Sequence, residues 1–89
     1  MKIERTVQFK KDWKLMEKRG KDLSELCAAL QILRDGQTLP AVYHDHTLLF
    51  GQYRGLHDAH IEPDWILLYK IQGEIVKLYR TGTHSDLRL

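Results

Sequence analysis

The spacing of apolar residues changes once along this chain, and the change splits it into two halves. Ile3, Arg5 and Val7 occupy alternate positions and predict a short strand over residues 2–7. Phe9, Trp13 and Met16 then recur at i, i+4 and i+7, the stripe of a helix over about residues 8–19. Gly20 stops it. Asp22 followed by Glu25 has the spacing of a capping box, and Leu23, Leu26, Cys27, Leu30 and Leu33 form a second helical stripe ending near Arg34. Two such helices with a short join predict an antiparallel hairpin.

Asp35-Gly36-Gln37-Thr38-Leu39-Pro40 is a loop by composition, and beyond it the period falls from 3.6 to 2. Residues Leu48–Arg54, Leu56–Ile61, Trp65–Ile71 and Glu74–Arg80 are predicted strands. Gln72-Gly73 and Glu62-Pro63-Asp64 are their turns. Short connections make consecutive strands antiparallel. The expected fold class is α+β, one domain over residues 1–89. An N-terminal strand and two-helix hairpin pack on an antiparallel sheet of four to five strands.

Composition narrows the function. Hydrophobic content of 43% supports a core, and no apolar run approaches the roughly 20 residues of a membrane span. The first residues lack the apolar segment of a signal peptide, and a single cysteine, Cys27, makes no internal disulfide. A reducing cytoplasm is the expected location. Cys27 lies on the apolar stripe of the second helix and is expected in the core. Charge is uneven: residues 1–21 carry eight Lys/Arg against three acids, while the remaining 68 carry six against nine. Lys10, Lys11, Lys14 and Lys18 make the first helix cationic, either as a solvated face or as a surface for a polyanion such as nucleic acid.

All five histidines, His44, His46, His57, His60 and His84, follow position 43, interleaved with Asp45, Asp58 and Asp64. Asp58 and His60 are two apart on a predicted strand, so they share a face. One reading is acid–base catalysis on a phosphodiester. RNA supplies its own 2′-OH nucleophile, so the protein needs a base, an acid and positive charge for the phosphate, for which Arg80 is a candidate. A second is a zinc site, although neither the spacing of structural zinc sites nor a His-Glu-x-x-His run is present. A third is a binding domain with polar surface histidines. Trp65, alternating with Leu67, Tyr69 and Ile71, can be core or site. Tyr53, Tyr69 and Tyr79 can be core edges or stacking surfaces for bases.

Three blocks in order, Pro40-Ala41-Val42-Tyr43-His44-Asp45-His46, the run from Asp58-Ala59-His60 through Glu62-Pro63-Asp64-Trp65 to Lys70, and Arg80-Thr81-Gly82-Thr83-His84, closely resemble the YafQ type of RelE-like toxins. The resemblance implies a ribosome-dependent endoribonuclease of a bacterial toxin–antitoxin pair that cuts messenger RNA in the decoding site. It implies a partner antitoxin, a toxin that is monomeric when free and part of a hetero-oligomer when neutralised, and no cofactor. The residues matching the family's catalytic positions are His46, His60, Asp64 and His84, with His84 the general acid. Asp58 and Trp65 belong to the same site, and Arg80 supports the phosphate. Where the family carries lysine, this chain has His44. Thr47 replaces a proline, and one extra residue lies between His46 and Gly51. His57 stands where arginine is common, and Leu87 or Arg88 where an aromatic follows the last histidine. His57, if protonated, and Arg88 are the expected electrostatic compensation for the lost arginine and aromatic. The alternatives are a ParE-like, non-enzymatic topoisomerase inhibitor and a catalytically impaired relative that only binds its antitoxin.

Overall fold

Thr6 opens the first helix. Its hydroxyl accepts the Phe9 backbone N–H at 3.0 Å and donates to the Tyr79 carbonyl at 2.9 Å, so one side chain caps a helix and ties it to the last strand. The computed structural model describes all residues, 1–89. In chain order it contains β1 (Lys2–Arg5), α1 (Val7–Lys18), α2 (Leu23–Arg34), a 3₁₀ turn (Ala41–Tyr43), β2 (His46–Thr47), β3 (His57–Glu62), β4 (Trp65–Gln72), β5 (Ile75–Gly82) and α3 (His84–Leu87).

The strands form one sheet in the order β1-β5-β4-β3-β2. The meander β3-β4-β5 is antiparallel, as its short turns require. β1 runs parallel to β5, so the sheet is mixed rather than wholly antiparallel. The reason is the helix hairpin, a long connection between β1 and the rest of the sheet that imposes no reversal of direction.

Three further expectations are corrected. The strand placed over Leu48–Arg54 does not form. Gly51 and Gly55 adopt φ of 84° and 89°, and Leu48 N–H to Leu56 O and Gly55 N–H to Leu48 O close the segment into a loop. Only His46 and Thr47, just ahead of it, pair with β3. At α2, Asp22 caps as expected, but its carboxylate accepts from the Ser24 backbone rather than forming a box with Glu25. Cys27 is exposed, since Leu26, Ala29 and Leu33 occupy the buried arc and Cys27 falls to its side.

Apolar contacts divide into two layers, one on each side of the sheet. Between helices and sheet lie Phe9, Met16, Leu26, Ala29, Leu33 and Leu39 against Ala59, Trp65, Leu67, Tyr69, Val76 and Leu78. On the other face a smaller cluster of Leu56, Ile66, Leu68 and Leu87 is joined by Leu48, Tyr53 and Tyr79. β4 therefore has both faces covered, which explains the continuous apolar run from Trp65 to Tyr69.

One charged residue sits inside the packing. Asp12 of α1 is 4% exposed. It accepts Arg80 Nε at 2.7 Å and Nη2 at 3.1 Å, the Thr81 backbone N–H at 3.1 Å and Gln8 Nε2 at 3.0 Å. Truncating Asp12 strands the Arg80 guanidinium. Because that guanidinium keeps some solvent contact, Asp12→Ala is expected to cost about 2–3 kcal/mol, somewhat below the range for a fully buried pair, measured by urea denaturation. A cost under about 0.5 kcal/mol would contradict the assignment.

Candidate active site

The site follows from alternation along β3. Ala59 points into the helix-side core, so Asp58 and His60 point to the opposite face. Pairing then aligns a row across the sheet: His46 opposite Asp58, Asp58 opposite Leu68, and Leu68 opposite Arg80. The next row is His60, Ile66 and Gly82. His84 begins α3 two residues beyond Gly82.

His60 is the hub. Its ring centroid lies 5.5 Å from His84, 6.5 Å from His46 and 6.0 Å from His44. The structure thus brings together His46, His60, Asp64 and His84, the four residues assigned to catalysis from sequence. His44 joins them. The alternating His-Asp-His run signalled His44, but a short segment with an unknown turn does not reveal its direction. Here His44 takes a left-handed conformation, φ 49° and ψ 40°, that turns the chain beside His60.

Hydrogen bonds fix which ring nitrogens carry protons. His46 Nδ1 lies 2.8 Å from the His44 carbonyl oxygen. A carbonyl only accepts, so Nδ1 holds a hydrogen and Nε2 is left without a protein partner. His84 Nδ1 lies 2.5 Å from Asp64 Oδ1, and the same oxygen accepts the His84 backbone N–H at 2.9 Å. Asp64 thus orients both the ring and the start of its helix. His60 Nε2 stands 3.3 Å from Asp58 Oδ1, close enough for ionic attraction but not aligned for a hydrogen bond. Asp58 is 5% exposed, and its Oδ1 has no hydrogen-bond donor. A small turn of the His60 ring would complete the bond.

His84 needs an accurately placed short helix. Thr83 and Asp86 form a reciprocal capping box, and Arg19 at the end of α1 holds both Asp86 oxygens, at 2.6 and 3.0 Å. Arg19, followed by the Thr83 backbone and hydroxyl, holds the Asp86 carboxyl well below the usual carboxylate range. Gly82 lies beneath this box, where an added Cβ would stand 2.9 Å from Asp86 Cβ.

Three supporting assignments change. Trp65 is wholly buried on the helix side, its Nε1–H donating to Thr81 Oγ1 at 2.9 Å, so it anchors the core. The Arg80 guanidinium donates to Asp12 and, through Nη1, to the Tyr53 hydroxyl at 2.9 Å. Its charge is matched by a carboxylate, so it supports the site as a brace rather than as free phosphate charge. His57, on the opposite face to Asp58, contacts Asp45 and stacks on Tyr69 with centroids 4.7 Å apart. It therefore lies outside the histidine cluster. The arginines without ion-pair or hydrogen-bond partners for their guanidinium groups include Arg54 and Arg88. Arg88 borders a shallow groove with Gln52, Tyr53, Arg80, Asp86 and Leu87.

Lys10, Lys11, Lys14 and Lys18 are exposed and form no ion pair. At 100° per residue they span an arc of about 100° on α1, directed away from Phe9 and Met16. No three His, Cys, Asp or Glu side chains converge as a metal-ligand set, and Nδ1 of both His46 and His84 is already engaged. No helix is long and apolar enough to cross a membrane.

This sheet and its histidine face are those of a bacterial toxin of the type II toxin–antitoxin class. The model of the YafQ family, bacterial toxins of type II toxin–antitoxin systems, matches residues 1–89, and the chain belongs to that family. It is 46% identical over 86 residues to the mRNA interferase toxin YafQ of Escherichia coli K12, covering 96% of this chain and 92% of that protein. The toxin in the E. coli DinJ-YafQ toxin-antitoxin complex superposes with a TM-score of 0.85 at 46% identity, covering 96% and 93% of the two chains. A metal-bound toxin from Helicobacter pylori superposes with a TM-score of 0.87 at 35% identity, covering 98% of each chain.

Two outcomes are expected. Gly82→Ala forces the capping box apart, lowering stability by about 1–3 kcal/mol in urea denaturation and displacing His84. A fully stable variant with unchanged His84 resonances would contradict this. Asp64 is held below the usual carboxylate range by the His84 backbone N–H and then by its ring. Its folded pKa is the lower one, so its contribution is complete above the ordinary carboxylate range and fades as pH falls through the lowered value. Carboxyl NMR titration should place the Asp64 midpoint below that of an unstructured aspartate; a midpoint at or above the ordinary value would refute the contact.

Proposed function

We propose that this chain is a type II toxin that cleaves messenger RNA, as the name of its E. coli relative indicates for that protein, and that it does so on the ribosome, in the decoding site. The observation that carries the reading is the ring arrangement: His46 and His84 flank His60, each with Nδ1 already hydrogen-bonded and Nε2 without a protein partner. In the reaction, a 2′-OH loses its proton to His46 Nε2, and its oxygen attacks the adjacent phosphorus. His60, backed by Asp58, faces the phosphate. The bond from phosphorus to the 5′-oxygen breaks as His84 Nε2 delivers a proton to that oxygen, leaving a 2′,3′-cyclic phosphate that can open to a 3′-phosphate. Asp64 keeps His84 in the tautomer this step needs. The substrate supplies the nucleophile, so no step is routed through a metal.

Arg88 and Arg54, whose guanidinium groups have no protein partner, supply positive charge for the RNA backbone in place of Arg80. The lysines of α1 hold ribosomal RNA through salt-sensitive contacts. A DinJ-type antitoxin is the neutralising partner, as in the complex of the E. coli relative; the free toxin is a monomer, and the setting is the cytoplasm, where ribosomes are.

The test is messenger RNA cleavage on programmed ribosomes with EDTA-treated toxin, free zinc removed and magnesium kept for the ribosome. Wild type should cut in the decoding site. His60→Ala and His84→Ala should cut at least about 100-fold more slowly, and raising salt from about 50 to 200 mM should weaken ribosome binding steeply. Equal cutting by the variants would remove the acid–base assignment, and cutting only after zinc is restored would replace it with metal chemistry. Growth arrest without any cutting would favour a topoisomerase-type inhibitor.

A further inference from the structure

Asp45 stands between two catalytic-face histidines in sequence, yet its side chain goes the other way. Chain alternation sends His46 to the face of Asp58, whereas Asp45 reaches the helix-side face. There its Oδ1 lies 3.0 Å from His57 Nδ1 on β3, and its Oδ2 accepts the Tyr69 hydroxyl on β4. The His57 ring stacks on Tyr69 with planes 19° apart, so the two donors brace each other. Tyr69 is 1% exposed and belongs to the main core. Burial, then the Asp45 carboxylate, pushes its hydroxyl far up, so it remains a donor. Asp45 therefore connects a short segment with few contacts of its own to two rigid strands. That segment contains the left-handed turn at His44 and the His44 carbonyl that accepts His46 Nδ1–H.

We propose that Asp45, gripped by His57 and Tyr69, is a positioning residue that sets the place and tautomer of His46 from the far side of the sheet. This rests on the nuclease reading above, and it assigns a role to His57, which stands outside the histidine cluster. A clamp of this kind acts through His46 and needs no substrate contact. A displacement on the order of 1 Å at a reacting group is enough to slow chemistry by about 100-fold.

The test is a double-mutant cycle with single-turnover cleavage on programmed ribosomes, paired with NMR of the His46 ring nitrogens in the free protein. Asp45→Ala is expected to lower the cleavage rate by about 10- to 100-fold with KM within about twofold. In a His46→Ala background it should change the rate by less than about twofold, because the residue it positions is gone. In the free protein, the His46 nitrogens should lose their fixed Nδ1–H signature. Tyr69→Phe, which removes one donor and keeps the ring, should give the same pattern at smaller amplitude and serves if Asp45→Ala does not fold. Equal losses in the two backgrounds, or an unchanged His46 spectrum in Asp45→Ala, would overturn the proposal. If even wild type fails to cut, the nuclease reading falls, while the NMR result still decides whether Asp45 positions His46.

Discussion

A buried carboxylate on α1 ties the rest of the molecule together. Asp12 receives two guanidinium hydrogens of Arg80 and the backbone N–H of Thr81, and thereby fastens the helix layer to the end of β5. That end carries the site outward: Thr81 accepts the Trp65 indole, Gly82 permits the close approach of Asp86, and His84 follows. Arg80, once paired, extends its remaining nitrogen to Tyr53 and so steadies the loop between β2 and β3. An isolated carboxylate there would be costly to bury; four hydrogen bonds and a guanidinium offset the loss of water. The arrangement fixes geometry more than it adds stability.

Much of this was legible in the sequence because periodicity carries it. The 3.6-residue stripe of Phe9, Trp13 and Met16 gave α1 within a residue or two, and the alternation of Asp58 and His60 put the acid and the imidazole on one face. The conjunction of His60, Asp64 and His84 followed from a resemblance in motifs. The meander of β3, β4 and β5 followed from its turns. What escaped was long-range partner choice. Nothing in local spacing says that Asp12 will be buried or that Arg80 will answer it across 68 positions. Hydrophobic alternation over Leu48–Arg54 mimicked a strand, but two glycines at positive φ and a closing pair of hydrogen bonds made it a loop. Trp65 could be read either way until the helix layer covered it.

The same limit explains His57. A histidine next to Asp58 in sequence is on the other side of the sheet, because successive side chains on a strand diverge. One residue of offset separates an imidazole on the face of Asp58 from one that holds Asp45 behind it. Alternation thus sorts the five histidines into two groups, His60 with three rings around it and His57 beside Tyr69, by position parity and turn geometry rather than by chemistry.

The spacing within the larger group has a consequence for how the site works. Rings 5.5 to 6.5 Å apart by centroid do not hydrogen-bond to one another, and neither do His46 and His84 use their Nε2 atoms on any protein acceptor. Each ring is instead anchored by its other nitrogen, to a carbonyl in one case and a carboxylate in the other. In the proposed reaction, base and acid stand on two sides of a third imidazole, a separation that suits a phosphate entering between them, with attack on one side and departure on the other. A tighter cluster, with rings bonded to one another, would have to break those bonds first. The free protein leaves the Nε2 atoms of His46 and His84 without a protein partner by anchoring the other nitrogen of each ring.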